Sequence, residues 1–268
     1  MSNRVKIFLL AVLYAGSLNA QEITVIPPLR IALTPGDSSL DSASVWQQLS
    51  EEMKSLYGAA LDVRMVRNQK DCLSLLYDKL AEIAIIDPRV YVQNQSPLKV
   101  LGSLSYYGQQ YERFVLIVAK NSIIHKKEDL WRAKFVASGG PGSLSWDYPI
   151  AFFLGDLIKN PDSISLEYDY EGVLLNIAMN KFDAGFVPEG FLKKHEQNVL
   201  GLKLRELLYT DSYPLYLLVT LEGIETARLS LAEGLFKLNA AGISFYKENS
   251  MLLKKIEQLK VLTGEPKQ

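Results

Sequence analysis

The sequence is poor in the residues that build metal, redox and nucleophilic sites. Its 268 residues contain one cysteine, Cys72, and two histidines, His125 and His195. A single cysteine excludes an internal disulfide, and no HExxH motif or His/Cys cluster indicates a metal centre. There is no GxSxG nucleophile elbow and no phosphate-loop lysine. These absences argue against an enzyme, and no cofactor is expected.

The sequence also lacks a large net charge and an apolar run long enough to span a membrane. The 29 basic and 30 acidic residues leave a net charge of −1, without a basic stripe, so nucleic acid is not an expected partner. After Arg4 and Lys6, the apolar run 7–15 is shorter than the roughly 20 residues that span a membrane. It fits a secretory leader that ends at Ala20.

The expected location follows from this leader. We predict that residues 1–20 are a cleaved signal peptide and that the mature chain is soluble and periplasmic. Because Cys72 lies far beyond the cut, no lipid-acceptor cysteine is available there. The protein is therefore not expected to be a lipoprotein.

Apolar periodicity predicts alternating strands and helices along the whole chain. Strands are predicted at 29–33, 61–66, 82–86, 113–119, 134–137, 165–169, 182–187 and 215–220. Helices are predicted between several of these strands, and two more at about 225–240 and 244–262. This alternation favours an α/β fold built on mostly parallel sheets that are flanked by helices.

A glycine-rich stretch is the most informative local feature. Residues 138–145 read Ser-Gly-Gly-Pro-Gly-Ser-Leu-Ser and precede a predicted helix. Glycines permit a close backbone approach, and a helix start presents unpaired N–H groups to an anion. Ser143 and Ser145 add hydroxyl donors. The alternative is an ordinary capped helix behind a flexible turn.

Two further groups are candidate ligand contacts. Tyr106, Tyr107 and Tyr111 precede the long apolar run and can wall a pocket or pack at a sheet edge. Asp183, in the predicted strand 182–187, can bind ligand donors or serve as a solvated turn acid.

Several segments together resemble one family. Residues 79–91 are similar to its "gly-glu-val-asp-ile-ala…gly-pro…ala-tyr" segment. Residues 112–122 with 127–130 are similar to its crossing strand and the run that follows, and residues 181–187 to its "lys-val-asp-ala-gly" strand. The chain thus resembles the phosphate/phosphite/phosphonate-binding family of periplasmic solute-binding proteins that serve ABC transporters. The resemblance implies a type II periplasmic-binding fold whose two lobes close on a ligand by hinge motion.

The resemblance also implies domain boundaries. Lobe 1 would comprise residues 21–112 and 212–268, and lobe 2 residues 113–211. The chain would cross between the lobes near 111–115 and 212–216.

The family's ligand loop, Ser-Thr-Ser-Gly, matches Ser143-Leu144-Ser145-Trp146 here. Both serines are kept, but leucine replaces the threonine and tryptophan replaces the glycine. These changes favour a smaller anionic head group or a larger organic body. The resemblance implies ligand contacts from Ser143, Leu144, Ser145, Trp146, Tyr106, Tyr107 and Asp183.

The resulting hypothesis is a monomeric periplasmic protein that captures a small anionic or polar solute, of the phosphate/phosphonate-like class, for an ABC permease. One alternative is a ligand-sensing subunit of a membrane sensor. Another is an exported enzyme on the same fold, and a third is a partner-binding protein with a vestigial cleft.

Overall fold

A computed structural model describes residues 26–34, 43–106, 108–140, 143–155, 164–195, 201, 203–240 and 242–263. The predicted signal peptide and Tyr107 lie outside these residues. The strands are β1 Leu29–Leu33, β2 Leu61–Met65, β3 Ile83–Ile86, β4 Leu98–Tyr106, β5 Tyr111–Glu112, β6 Phe114–Ala119, β7 Phe135–Ser138, β8 Ile164–Glu167, β9 Ala184–Pro188, β10 Leu204–Tyr209, β11 Tyr213–Pro214, β12 Tyr216–Leu221, β13 Asn239–Ala240 and β14 Ile243–Lys247.

The α-helices are α1 Ala43–Tyr57, α2 Gln69–Tyr77, α3 Pro88–Gln93, α4 Leu144–Pro149, α5 Tyr170–Ala178, α6 Glu189–Lys194, α7 Thr226–Glu233 and α8 Ser250–Gln258. Helix α4 continues into a π-helix, Ile150–Leu154. Within the described residues, 3-10 helices occupy Lys127–Arg132, Gly234–Lys237 and Leu259–Thr263. None of the helices in the described part of the chain is long and apolar enough to span a membrane.

The first sheet has seven strands in the order β13-β14-β4-β12-β3-β1-β2. Strand β1 pairs in parallel with β2 and β3, and the other neighbours pair antiparallel. Helix α1 buries Trp46, Leu49 and Met53 in the same apolar cluster as β1 residues such as Ile31. Their spacing of three and four residues is that of one helix face.

The second sheet has five strands in the order β10-β6-β9-β7-β8. Strand β7 pairs in parallel with β8 and β9, whereas β6 pairs antiparallel with β9 and β10. Every residue of β6 is buried. Its unbroken apolar run is therefore explained by cover on both faces.

The predicted α/β class with two sheets is confirmed, but the sheets are mixed and not mostly parallel. The parallel strands β1–β3 and β7–β9 are joined by helical crossovers, as parallel pairing requires. Strands β6 and β12, which enter their sheets directly after short strands β5 and β11, run against these parallel strands. Each sheet is therefore antiparallel where β6 or β12 joins it.

The C-terminal region also departs from the prediction. Helix α7 ends at Glu233, and β13 and β14 form a hairpin around Gly242, whose φ is +78°. The helix predicted at 244–262 begins only at Ser250. Strand β4, which the periodicity did not predict, lies between β14 and β12.

A two-stranded ribbon connects the sheets. Strands β5 and β11 pair antiparallel, with Glu112 opposite Tyr213 and Tyr111 opposite Pro214. Phe114, at the start of β6, stacks on Tyr213 with ring centroids 5.7 Å apart. The ribbon falls within the segments 111–115 and 212–216, in which the sequence places the crossings.

Candidate functional site

The glycine-rich loop follows β7 and leads into α4. Gly139 and Gly140 have φ values of +91° and +69°, a backbone region that other residues rarely adopt. A Cβ at Gly139 would lie 2.1 Å from Ser145 Oγ and 2.6 Å from Ser143 Oγ. Glycine is therefore required at position 139, because both hydroxyls rest against its backbone.

The two serine hydroxyls bind to the loop and to each other. Ser143 Oγ donates to the Gly140 carbonyl oxygen at 2.8 Å and lies 3.0 Å from Ser145 Oγ. A hydroxyl has one proton. Since the Ser143 proton goes to Gly140, Ser145 is the donor in the second bond. An anion that accepts a hydrogen bond from this pair must therefore displace one of the two internal hydrogen bonds.

Leu144 and Trp146 are packing residues in this structure. Their side chains are 9% and 5% exposed. Both belong to one cluster of buried side chains that combines first-sheet residues such as Ile86 with second-sheet residues such as Phe114. Helix α4 also contacts the C-terminal 3-10 helix Leu259–Thr263. The elements of the two sheets thus meet at α4.

Two of the predicted tyrosines, Tyr106 and Tyr111, lie in strands and not in a connecting loop. Tyr106 ends β4 opposite Ile243, and Tyr107 lies outside the described residues. Tyr111 is part of the ribbon, where Lys255 Nζ lies 5.0 Å from its ring centroid. Its hydroxyl is buried and has no hydrogen-bond partner within the described ranges, and burial raises its pKa.

The structure does not bring Asp183 together with the serine pair. Its carboxylate accepts a hydrogen bond from the backbone N of Lys134 at 2.7 Å. Strands β7 and β9 are parallel, with Phe135 opposite Ala184, so Asp183 lies at their amino ends. The loop 138–145 lies at the carboxyl end. Asp183 therefore ties two strand starts together.

Glu189 lies at the carboxyl end of β9, but it is occupied by Arg113. The Arg113 Nε and Nη2 atoms donate to the two Glu189 carboxylate oxygens at 2.8 and 2.7 Å. This bidentate pair lowers the pKa of Glu189 to about 2. Glu189 is a structural partner of the residue that follows the ribbon strand β5.

Arg89 is a candidate site residue that the sequence analysis did not identify. Asp87 caps α3 and accepts a hydrogen bond from Arg89 N at 2.7 Å. The Arg89 guanidinium crosses to the second sheet, where its Nη2 lies 2.5 Å from Asp147 Oδ2 on α4. The sequence could have indicated Arg89 by a departure from the family pattern. Asp87 replaces the glycine of the family's "gly-pro" motif, and Arg89 follows the proline.

Burial strengthens the interactions among the charged groups around Arg89. Desolvation raises the pKa of Asp87 from 3.8 to about 6, although the bond from Arg89 N and the Arg89 charge oppose this. The side chains of Arg89 and Asp147 are 18% and 26% exposed. Charges that water screens so little interact more strongly than surface charges do.

A cavity of about 530 Å³ lies elsewhere on the first sheet. It is lined by Arg30, Glu82 and Arg228 together with residues of the β12–α7 turn. Arg30 and Glu82 lie towards the amino ends of β1 and β3. The loop after β3 that carries Arg89 is at the opposite end, so this cavity is not the inter-sheet site.

Comparisons with known proteins agree with this architecture. A family profile described as ABC transporter, phosphonate, periplasmic substrate-binding protein matches residues 31–263. None of the curated proteins matches the chain in sequence.

Three solved structures share the fold at low sequence identity. XAC2383 from Xanthomonas citri bound to ATP is 12% identical over 88% of this chain and 96% of its own, with a TM-score of 0.63. PhnD1 from Prochlorococcus marinus in complex with methylphosphonate is 16% identical over 86% and 96%, with a TM-score of 0.57. The periplasmic aliphatic sulphonate binding protein SsuA from Escherichia coli is 13% identical over 88% and 86%, with a TM-score of 0.55. The fold is that of type II periplasmic binding proteins.

Proposed function

Because the chain belongs to the phosphonate-type periplasmic substrate-binding family of ABC transporters, we propose that it captures a small oxyanion between its two sheets. It then delivers this solute, chemically unchanged, to a membrane permease. One protein with this fold is known in complex with methylphosphonate, and another is named as an aliphatic sulphonate binding protein. Both compounds carry a tetrahedral oxyanion, and we assign the same kind of head group to the solute of this chain.

One observation carries the proposal. The serine pair of the second sheet and Arg89 of the first sheet converge on α4, through Ser143 at its N-cap and Asp147 in its first turn. Both lie beyond the carboxyl ends of parallel strands, where open α/β sheets bind their ligands. Hydroxyl donors and a guanidinium are suited to an oxyanion.

The proposal includes the organisation of the chain. Residues 21–112 and 212–268 form lobe 1, residues 113–211 form lobe 2, and the β5–β11 ribbon is the hinge. The protein acts as a periplasmic monomer without a lipid anchor, after removal of residues 1–20. The two sheets joined by one ribbon, and a family whose members are periplasmic, support this organisation.

The direct test is a solute screen on the purified mature chain. Thermal shift and calorimetry with phosphate, phosphite, methylphosphonate, methanesulfonate and acetate should identify at least one oxyanion that stabilises the protein, since binding to the folded state raises its melting temperature. Phosphorus NMR of the bound phosphonate should show the compound unchanged after incubation. Turnover, or stabilisation by no oxyanion, would contradict the proposal.

A double variant tests the serine pair. Replacing Ser143 and Ser145 with alanine should weaken binding by about 1–3 kcal/mol for each ligand oxygen that loses its donor. Ser165→Ala, an exposed serine on β8 of the same sheet, is the matched control and should leave affinity unchanged. Equal affinity of the double variant and the control would remove the loop from the site.

A further inference from the structure

Arg89 and Asp147 form an ion pair between the two sheets. Arg89 lies in the first turn of α3, after β3 of the first sheet, and Asp147 lies in α4, after β7 of the second sheet. Each helix begins beyond the carboxyl end of a parallel strand. The pair therefore spans the crevice in which a ligand of this fold is expected.

The Arg89 guanidinium is only partly used. Its Nη2 contacts Asp147, whereas its Nε is buried and has no hydrogen-bond partner among the described residues. Arg113 shows the complete arrangement in the same chain, because its Nε and Nη2 each donate to a different oxygen of Glu189. A buried donor without an acceptor is unfavourable. Arg89 thus has an unfilled position on one edge of its fork.

A free oxyanion can fill both positions on that edge, whereas Asp147 fills only one. Phosphonate, phosphate and sulfonate groups present two oxygens at the separation that an arginine fork accepts. Such a group would satisfy Nε and Nη2 together. With Asp87 and Asp147 already beside Arg89, a third negative charge is favourable only if Asp147 gives up its contact.

We propose that Arg89 anchors the anionic head of the solute and that Asp147 occupies its place in the unliganded protein. This inference rests on the proposed function and adds a specificity-determining residue and an internal competitor to it. Ligand binding is then an exchange of one carboxylate for a better-matched oxyanion. Asp147 lowers the apparent affinity, because the solute must displace it.

The test uses methylphosphonate and inorganic phosphate as probes on the mature chain. Calorimetry should show binding weakened by about tenfold or more in Arg89→Gln, since two charge-assisted bonds are lost. Arg89→Lys, which keeps the charge but not the fork, should fall between Arg89→Gln and the wild type. Asp147→Asn should bind about tenfold more tightly than the wild type, because the competitor has lost its charge.

A second ion pair provides the control. Arg64 and Asp62 on β2 are 3.2 Å apart and more exposed, so Arg64→Gln and Asp62→Asn should leave binding unchanged. Thermal unfolding of every variant separates a folding defect from a binding defect. In the double variant Arg89→Gln/Asp147→Asn, the gain from Asp147→Asn should disappear, because there is no longer an anchor to release.

The outcomes are distinct for the two proposals. If the screen finds no solute for the wild type, the proposed function fails, and the inference fails with it because it rests on that function. If the wild type binds and Arg89→Gln binds equally well, the inference is overturned and the proposed function stands. Weaker binding by Asp147→Asn, or no binding of either probe by Asp147→Asn, also overturns the inference.

Discussion

Replacing Gly139 with alanine should damage the serine loop far more than the same change at Gly140. Both glycines have positive φ, so alanine at either position incurs a backbone penalty of roughly 1–2 kcal/mol. The surroundings differ. A Cβ at Gly140 meets only Leu166 methyl groups at 3.7 and 3.8 Å, whereas a Cβ at Gly139 falls 2.1 Å from Ser145 Oγ.

The added effect at Gly139 can be worked out from the hydroxyl pair. Ser145 Oγ cannot stay where it is, and Ser143 Oγ, 2.6 Å from the new Cβ, must move as well. Their two internal hydrogen bonds are each worth about 0.5–1.5 kcal/mol. We expect Gly140→Ala to lose about 1–2 kcal/mol of unfolding free energy and Gly139→Ala about 2–5 kcal/mol.

Urea denaturation followed by circular dichroism measures both values, and calorimetry with the solute found by the screen measures affinity. Ser143→Ala/Ser145→Ala in the Gly139→Ala background removes both clashing oxygens. It should be no less stable than Gly139→Ala, because the two hydrogen bonds are already lost there, and it should not recover the lost affinity. Gly139→Ala and Gly140→Ala of equal stability, within about 0.5 kcal/mol, would refute the described packing of the hydroxyls against Gly139.

Two further predictions concern buried groups near the site. The raised pKa of Asp87, about 6, means that the folded protein holds a proton between about pH 4 and 6 that the unfolded chain releases. As the pH rises through this window, the wild type should therefore lose about 2–3 kcal/mol of unfolding free energy relative to Asp87→Asn, which keeps an N-cap acceptor. The same difference in unfolding free energy between the two proteins at pH 4.5 and at pH 7, measured by urea denaturation, would contradict this. Trp146→Ala should lose about 3–5 kcal/mol of stability, while Trp131→Ala, at a side chain 59% exposed, should change it by less than about 0.5 kcal/mol. A Trp146→Ala protein of normal stability but weakened solute binding would instead make Trp146 a pocket wall.

The sequence predicts best those elements that are buried on both faces. Strand β6 is buried on both faces, and its unbroken apolar run could be recognised without knowing its neighbours. Strand β4 was missed because its fully buried positions include Ser103 and Ser105. Ser103 is compensated by a hydrogen bond from Gln110 Nε2 at 2.6 Å. Such compensation depends on the fold and leaves no apolar pattern in the sequence.

The C-terminal hairpin was missed for a related reason. Ile243 and Phe245 are buried at alternate positions of β14, as in a strand with one covered face. This alternation covers only a few residues and continues directly into the helical pattern of α8. A periodicity extended across 244–262 therefore assigned the strand to the helix.

The site was predictable only where it is local. The order of glycines, serines and a helix start in 138–145 identified the loop after β7. Asp183 was assigned to the same site through the family resemblance, and the sequence gives no indication of which end of β9 faces the loop. Arg89 and Asp147 are brought together only by the assembled sheets, so neither residue could be identified as half of a pair.

The β5–β11 ribbon limits how the two halves of the molecule can move. Its strands contain two residues each and are hydrogen-bonded to one another, so neither crossing can swing without carrying the other. As the proposed hinge, the ribbon would therefore act as one pivot between the two sheets. Under the proposed function, every solute would then meet the same arc of approach between Arg89 and the serine loop. The angle at which closure stops would then limit the size of the solutes that fit between the sheets, whatever their head group.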